Sequence, residues 1–521
     1  MILGGVLVLL AAVVLFVHWL RAGEPLALDQ GLFACFTRWP GSLPYRDLFD
    51  SKPPLFLYSW SLAAAVPGDV PLSMWRLETL WLLGSMAATW WVVRRLAREV
   101  AGIAADGAGA AAAAALFIGL WCPAWGGYWS RAQAEELAVL PMMLAAGVAV
   151  GRREPSARRL IVLGALTGVL GLYKIPTMAV AAAWPMLWER RYAVKAAGWV
   201  ALGIALPWAA IIAWFAAHGA FGDFVAGTFR YHRYNAQFIA PPWLPTIGTW
   251  ARTIATGMPE LLVLAAAGLV ALPARARRFV AVWIGATALA VLLERQLAGY
   301  HYLLVVPGIA VAAGCGVGAI AARLRPRAVR TTPPGADTGV TMRRWPWAAV
   351  AVVALGLAVR GAIEWGHAYG PGLAYERGAI SRDAYLASFE RGSPAPEEAV
   401  AGWIREHVPP GEHILVWATA PGIYALADRE PATRYPFHKI LMTEAPLSRM
   451  IPGLDQRRAE LLARVDRDRP AVIVVGRNDR NGFEPETSLE SLVHWPELMT
   501  RVKTEYEMAT QIDNYLVFRR R

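Results

Sequence analysis

Long apolar segments recur along the first two thirds of this 521-residue chain, and they constrain the fold more than any other feature. A bilayer core about 30 Å thick needs about 20 helical residues, and most of the segments approach that length. They lie at 2–20, 72–93, 101–121, 134–150, 158–172, 175–188, 195–217, 258–272, 279–294, 301–322 and 345–363. With 56% hydrophobic and only 17% charged residues, the chain is predicted to be mainly α, a polytopic membrane protein with about 11 spans.

Two of these segments, 158–172 and 175–188, are short and are separated only by Tyr173 and Lys174. They are either two spans or a broken pair. Lys174 is then either a buried cation that faces a cavity or a side chain that snorkels to the membrane surface.

The formal net charge of +12 is distributed unevenly. Residues 1–363 hold 31 basic and 16 acidic residues, whereas residues 364–521 hold 20 basic and 23 acidic residues. The positive charge therefore belongs to the apolar part, which excludes a basic nucleic-acid-binding domain as its source. The three cysteines follow no disulfide or metal-ligand pattern.

The arginines indicate the orientation, because Lys and Arg near span ends stay on the cytoplasmic side. With a cytoplasmic N-terminus, 19 of the basic residues lie in five cytoplasmic segments, which are 94–98, 152–159, 190–195, 275–278 and 323–344. The C-terminal part is then extracytoplasmic, as in a protein of a bacterial-type inner (plasma) membrane. The apolar stretch 55–66 is predicted not to cross the membrane, since a crossing would move every later loop to the opposite side. It is predicted to be an interfacial or re-entrant helix, with Tyr58 and Trp60 suited to the headgroup region.

The pattern divides the chain into a transmembrane catalytic domain, 1–363, and a small extracytoplasmic α/β domain, 364–521. In the second domain we predict helices at 399–407 and 454–465, strands at 414–417 and 471–475, and a closing hairpin from 506 to 518. No glycine-rich phosphate loop follows a strand, so no independent catalytic site is expected there. Chemistry is expected in the long outer loops, 21–71 and 218–257.

Asp29 is the first candidate catalytic residue. It follows the first span by about eight residues, which places a carboxylate close to the membrane surface. A carboxylate there is suited to act as a general base or as a metal ligand on substrates held at the lipid boundary. The alternative is that Asp29 is only the N-cap of a helix over 30–37.

Lys52 is the second candidate, because the chain has only five lysines against 46 arginines. It precedes Pro53 and Pro54 just before the interfacial helix, so it is a placed cation whose natural partner is a phosphate or an anionic headgroup. The alternative is a snorkelling lysine that contacts any phospholipid.

The motif around Lys52 carries a resemblance. A first helix, Leu28-Asp29-Gln30 and the string Tyr-Arg-Asp-Leu-Phe-Asp-Ser-Lys-Pro-Pro over 45–54 resemble the first loop of the GT-C membrane glycosyltransferases. They are most similar to the family 39-type branch, with the protein O-mannosyltransferases and the lipid A aminoarabinose transferases. The string Arg-Gln-Leu-Ala-Gly-Tyr-His-Tyr over 295–302 resembles a second motif of that branch, and 409–417 and 429–435 resemble outer C-terminal domains of bacterial members.

The resemblance implies transfer of one sugar, a hexose or a pentose, from a polyprenyl-phosphate carrier to an extracytoplasmic acceptor, with inversion at the anomeric carbon. Asp29 matches the catalytic acidic residue, and Lys52 matches the lysine that contacts the carrier phosphate. Many relatives have Asp-Glu where this chain has Asp29-Gln30, which removes one carboxylate. No cofactor is certain, and a divalent cation stays possible.

Other candidates come from the same loops. Arg295, His301 and Tyr302 are candidates for donor phosphate binding, although His301 and Tyr302 are equally suited to interfacial anchoring. Glu135 and Glu136 either join the site or form an ordinary salt bridge with Arg131. Possible substrate-binding residues also include Tyr45, Asp47, Asp50, Arg230, His232 and Arg233.

Three other functions are alternatives to a glycosyltransferase. A flippase or transporter places ionisable residues in mid-membrane and often has internal repeats, whereas the acidic residues here gather in outer loops. A non-enzymatic anchor leaves the loop from Asp29 to Pro54 unexplained. An envelope oligosaccharide ligase differs in using a lipid-linked oligosaccharide as donor. The expected partners are therefore a polyprenyl-phosphate-linked sugar, an extracytoplasmic acceptor and membrane lipids.

Overall fold

The structure is a computed structural model. It describes residues 2–98, 105–122, 127–151, 155–238, 241–324, 363–389, 394–442, 448–449, 451–480 and 485–521. All but the last residue of the predicted span at 345–363 and all but the first two residues of the basic segment 323–344 therefore lie outside the described residues.

The part before residue 325 is helical. Its α-helices are Ile2–Arg21, Leu28–Arg38, Pro54–Ala63, Val70–Leu96, Ala105–Leu120, Ala134–Leu137, Val139–Ala149, Ala157–Tyr173, Arg190–Ala217, Phe221–Val225, Tyr231–Phe238, Trp243–Gly257, Pro259–Ala271, Ala274–Glu294 and Val306–Leu324. They are connected by three 3₁₀ segments and one π-helical turn. The 3₁₀ segments are Gly127–Ser130, Ile175–Leu187 and Gly299–Leu304, and the π-helical turn is Ala226–Arg230.

Within the described residues, three helices are long and apolar enough to cross a membrane by length and composition: Val194–Ala217, Ala274–Glu294 and Val306–Arg323. The helices Trp243–Gly257 and Pro259–Ala271 bend by 90° at their junction and make a fourth candidate if they form one span. The count of about 11 spans stays a prediction.

The segments at 158–172 and 175–188 form the broken pair. The helix Ala157–Tyr173 ends at Lys174, whose backbone is extended (φ −160°, ψ 114°), and a 3₁₀ segment with Pro185 inside it follows. Lys174 is 13% exposed, so its side chain is a buried cation.

The apolar stretch 55–66 forms the helix Pro54–Ala63, which packs on Leu28–Arg38. Trp60 is fully buried, its ring contacts Phe33, and its indole N–H donates to the carbonyl of Ala132 at 3.3 Å. The prediction that Trp60 lies among lipid headgroups is therefore wrong, because the protein itself supplies the partner for its polar end.

The tail, residues 364–521, contains a four-stranded sheet of order β1-β2-β4-β3. The strands are β1 (Ile414–Trp417), β2 (Val472–Gly476), β3 (Tyr506–Ile512) and β4 (Tyr515–Arg520). β1 and β2 are parallel, and β4 pairs antiparallel with β2 and β3. Helices in the tail are 363–376, Arg382–Leu386, Ala395–His407, Gly422–Ala427, Leu454–Asp468, Ser488–Val493 and Pro496–Glu505. The predicted strands, helices and closing hairpin are confirmed.

The tail packs directly on the helix that carries Asp29. Gly31 and Gly422 meet so closely that a Cβ at Gly31 would lie 2.7 Å from the backbone nitrogen of Gly422. Arg38 pairs with Asp428, and the backbone N–H of Phe49 donates to a tail carbonyl at 2.7 Å. The tail therefore contacts the first outer loop, 21–71, at Gly31, Arg38 and Phe49.

Replacing Gly31 with Ala is expected to lower the stability of this packing by about 1–3 kcal/mol, because the obstructing atoms are backbone atoms of Gly422 that have no rotamer to change. The thermal unfolding midpoint of the purified protein measures the effect. Gly41→Ala is the matched control, since a Cβ there meets nothing within 4 Å. Equal midpoints for the two variants would contradict the close approach.

Candidate active site

Asp29 is the second residue of the helix Leu28–Arg38, and its side chain is half-buried. The N-cap residue is Ala27, so the interpretation of Asp29 as a helix cap is wrong. The hydroxyl of Tyr300 donates to Oδ2 of Asp29 at 3.3 Å. The carboxylate is thus held by one side-chain donor and keeps acceptor capacity for a further ligand.

Gln30 uses its whole amide within the protein. Its Oε1 accepts from the backbone N–H of Ala27 at 2.7 Å, and its Nε2 donates to the carbonyls of Tyr128 at 2.6 Å and Arg131 at 3.1 Å. The side chain is fully buried. Its two donors face two carbonyls, which is an arrangement that a carboxylate is unable to satisfy. Gln30 therefore fixes the start of the helix that presents Asp29.

Gln30→Glu is expected to destabilise the protein by about 2–4 kcal/mol, because it places a buried carboxylate against two carbonyl oxygens. The thermal unfolding midpoint should fall clearly, and the exposed Gln456→Glu should leave it unchanged. A Gln30→Glu protein as stable as the parent would disprove the assigned amide contacts.

Lys52 lies in a loop that is fixed through its backbone. Its N–H donates to Oδ1 of Asp50 at 2.6 Å, and its carbonyl accepts from the hydroxyl of Tyr45 at 2.8 Å. The Nζ atom lies 5.4 Å from the ring centroid of Tyr300 and 5.8 Å from that of Phe33. Tyr300 thus contacts both Asp29, through its hydroxyl, and the Lys52 ammonium, through its ring.

Asp50 and Asp47 support the loop in different ways. Burial raises the pKa of the Asp50 carboxyl to about 6, and the backbone N–H and charge of Lys52 oppose that rise. Asp47 accepts from the backbone N–H of Leu43 at 2.8 Å and pairs with Arg46. Tyr45 has a φ of +70° and is fully buried. The contacts of these three residues hold the conformation that presents Lys52.

A second charged cluster adjoins Tyr300. Lys174 pairs with Oε1 of Glu135 and, at 2.7 Å, with Oε2 of Glu294. The His301 ring lies between the same carboxylates, with Nδ1 3.3 Å from Glu294 and Nε2 3.7 Å from Glu135. Its centroid is 4.8 Å from that of Tyr300. One atom from each of Glu135, Glu294 and His301 could ligate a metal ion, since these atoms lie within 4.8 Å of one another.

Glu136 and Arg131 belong to a buried network outside this cluster. Among the described residues, the ion pairs of Arg131 are with Glu24 at 3.0 Å and Glu78 at 2.6 Å. Glu136 accepts from the indole N–H of Trp121 at 3.1 Å. The interpretation of Glu135 and Glu136 as salt-bridge partners of Arg131 is therefore wrong, because Glu24 from the first loop and Glu78 from the helix Val70–Leu96 take that position.

The remaining candidates lie in different surroundings. Arg295 stacks 4.4 Å above the ring centroid of Trp243 and bonds the carbonyl of Pro241, while Tyr302 is buried. His232 contacts the carbonyl of Ser51 at 2.5 Å, which brings the 218–257 loop beside Lys52. Arg230 and Arg233 are exposed.

Comparisons with known proteins give a fold. No family model matches the sequence, and no curated protein matches it. Among solved structures, ArnT from Cupriavidus metallidurans bound to undecaprenyl phosphate matches at a TM-score of 0.58 and 13% identity, covering 98% of this chain and 97% of that one. The apo state of the same protein matches at a TM-score of 0.53 and 14% identity, with the same coverage. This chain has the GT-C fold.

Two residues of this candidate site were not predicted from the sequence. Tyr300 links Asp29 to Lys52, and Glu294 completes the cluster around Lys174. A signal for Tyr300 existed, since it lies in the motif that includes Arg295 and His301. Glu294 is the last residue of an apolar helix, and only the folded chain shows that it meets Lys174.

The tail of the GT-C chain holds a serine, a histidine and an aspartate in contact. The Ser488 hydroxyl lies 2.8 Å from Nε2 of His438 and donates to Oδ2 of Asp479 at 2.6 Å. A nucleophilic triad requires the aspartate to hold the histidine, whereas here it holds the serine. Burial lowers the pKa of His438 to about 4. The indole N–H of Trp417 in β1 also donates to the carbonyl of Ser488 at 3.0 Å, so these contacts tie Ser488 to the sheet and make a structural network.

Proposed function

We propose that this chain is an inverting glycosyltransferase. It moves a single sugar, a hexose or a pentose, from a polyprenyl-phosphate carrier to an extracytoplasmic acceptor, which is an envelope glycan, a lipid or a protein. The observation that carries the proposal is that one tyrosine contacts both a carboxylate and an ammonium. The hydroxyl of Tyr300 donates to Asp29, and the ring centroid of Tyr300 lies 5.4 Å from the Nζ of Lys52.

Asp29 acts as the general base. The acceptor hydroxyl attacks the anomeric carbon and gives its proton to the free oxygen of the carboxylate. The bond between that carbon and the phosphate oxygen breaks, and its electron pair leaves with the phosphate. Attack opposite the leaving group inverts the configuration. The hydroxyl of Tyr300 orients the carboxylate for this step.

Lys52 binds the carrier phosphate. In the described part of the chain no carboxylate lies within ion-pair distance of its ammonium, which rests between the rings of Phe33 and Tyr300. The phosphate gains negative charge as it leaves, so the ammonium stabilises the transition state more than the ground state. The bound lipid of the ArnT structure with the same fold, undecaprenyl phosphate, supports a polyprenyl-phosphate carrier.

The membrane arrangement follows from the same proposal. The chain lies in the plasma membrane with its N-terminus in the cytoplasm, and the first loop and the tail face outward. A lipid donor then reaches Lys52 from the bilayer, while the acceptor approaches Asp29 from the extracytoplasmic side.

Native mass spectrometry of the purified protein with undecaprenyl phosphate tests the carrier site. The expected result is one bound lipid, whose retention falls when an excess of a soluble polyprenyl-phosphate analogue is added. An uncharged polyprenol of the same length serves as the control and should be retained less, since it lacks the anion. Equal retention of both lipids would contradict phosphate recognition.

A further inference from the structure

We propose that the ammonium of Lys174 is the resident cation between Glu135 and Glu294, and that it occupies the position a divalent metal ion would otherwise take. The proposal implies that sugar transfer needs no metal ion, and this implication rests on the proposed function. The placement of the Lys174 ammonium between the carboxylates does not rest on it, because that placement follows from the contacts of four side chains and is measured without any activity.

The carboxylates converge on the lysine rather than on each other. Nζ of Lys174 bonds Oε1 of Glu135 and lies 2.7 Å from Oε2 of Glu294. Glu135 is completely buried, and Glu294 is 15% exposed. Two carboxylates at such close quarters need a cation between them, because a buried uncompensated charge is costly. Lys174 supplies that cation.

The donor set around the ammonium is one that a transition-metal ion accepts. Two carboxylate oxygens and an imidazole nitrogen suit zinc or manganese. His301 is 4% exposed, and its Nδ1 atom, which no hydrogen bond satisfies among the described residues, lies 3.3 Å from Oε2 of Glu294. That separation matches neighbouring ligands of one ion with bonds of about 2.1 Å. The ligands are therefore present, and the lysine is bonded to the two carboxylates among them.

The backbone conformation around Lys174 fixes the lysine beside the two carboxylates. Lys174 is the single extended residue between the helix Ala157–Tyr173 and the 3₁₀ segment Ile175–Leu187. Its carbonyl accepts from the hydroxyl of Thr177 at 2.6 Å, which fixes the break. A tethered ammonium needs no capture from solution. A divalent ion that entered beside it would face a like charge a few ångströms away in a buried site.

The cluster adjoins the donor site through His301, whose ring packs edge-on against that of Tyr300. The charge of the cluster matters at this position, because excess negative charge beside a departing phosphate raises the energy of the transition state. The ammonium of Lys174 offsets the charge of the two carboxylates without a dependence on metal supply.

Electron paramagnetic resonance with Mn²⁺ alone tests the proposal on the purified full-length protein. Wild type is expected to show no specific Mn²⁺ binding. Lys174→Ala removes the resident cation and is expected to bind one Mn²⁺ with an affinity about tenfold or more above wild type. The double variant Lys174→Ala/Glu294→Gln should lose that gain. Lys503→Ala, which removes an exposed lysine, is the control.

Two results would overturn the proposal. One is a Mn²⁺ ion bound to wild type and lost in Glu294→Gln, which would make the cluster a metal site despite the lysine. The other is no gain in Lys174→Ala, which would show that these ligands take no metal. If Lys174→Ala folds poorly, Lys174→Gln keeps a polar side chain that is only one atom shorter, removes the charge and gives the same test. Full sugar transfer after chelator treatment is the matching result once activity is established.

Discussion

Replacing Asp29 with Asn is expected to lower kcat by about 10²- to 10⁴-fold, because the acceptor hydroxyl then has no base to receive its proton. The amide has the shape of the carboxylate, and its oxygen still accepts from the hydroxyl of Tyr300, so the helix should keep its place. Sugar transfer by purified protein is the measurement. An unchanged thermal unfolding midpoint separates lost chemistry from lost folding.

The matched control is Asp455→Asn, which removes an exposed carboxylate from the first turn of a tail helix. It should leave both kcat and the unfolding midpoint unchanged. A folded Asp29→Asn protein with full activity would remove Asp29 from the mechanism.

Lys52→Ala is expected to lower kcat/KM for the lipid donor by about 10- to 150-fold, which is the range for loss of a charge-assisted hydrogen bond. The variant should have a lower kcat as well as a higher KM for the donor, because the phosphate is more negative in the transition state than in the ground state. Steady-state kinetics at varied donor concentration measure both constants. Lys503→Ala removes an exposed lysine and should change neither.

A loss confined to the acceptor KM would contradict this assignment, since it would place Lys52 on the other substrate. The snorkelling alternative gives a different result as well. A lysine that contacts any phospholipid would leave donor kinetics unchanged and alter only the association of the first loop with lipid.

The sequence was most informative where local patterns decide structure. The tail strands are short apolar runs bounded by turn residues, and β1, β2 and the closing hairpin form where those runs predicted them. The break at Lys174 was foreseen as one of two possibilities from the shortness of its flanking segments. Asp29 and Lys52 are candidates on the sequence because a carboxylate and a rare lysine lie in the same outer loop, 21–71.

What the sequence did not reveal depends on long-range contacts. Tyr300 is 271 residues from Asp29 along the chain, and the hydrogen bond between them exists only in the packed bundle. Arg131 has acidic neighbours at 135 and 136, yet Glu24 in the first loop and Glu78 in another helix supply its partners. Periodicity describes which face of a helix is apolar, and it carries no information on which helix that face meets.

Donor consumption tests the central claim most directly. Purified protein is incubated with polyprenyl-phosphate-linked hexoses and pentoses and an envelope extract as acceptor, and mass spectrometry follows each lipid. The account predicts that one donor is converted to free polyprenyl phosphate and that its sugar appears on an acceptor with inverted configuration. Donors that all stay intact would contradict the account, and one of them crossing the bilayer when the protein is reconstituted in vesicles would identify a flippase.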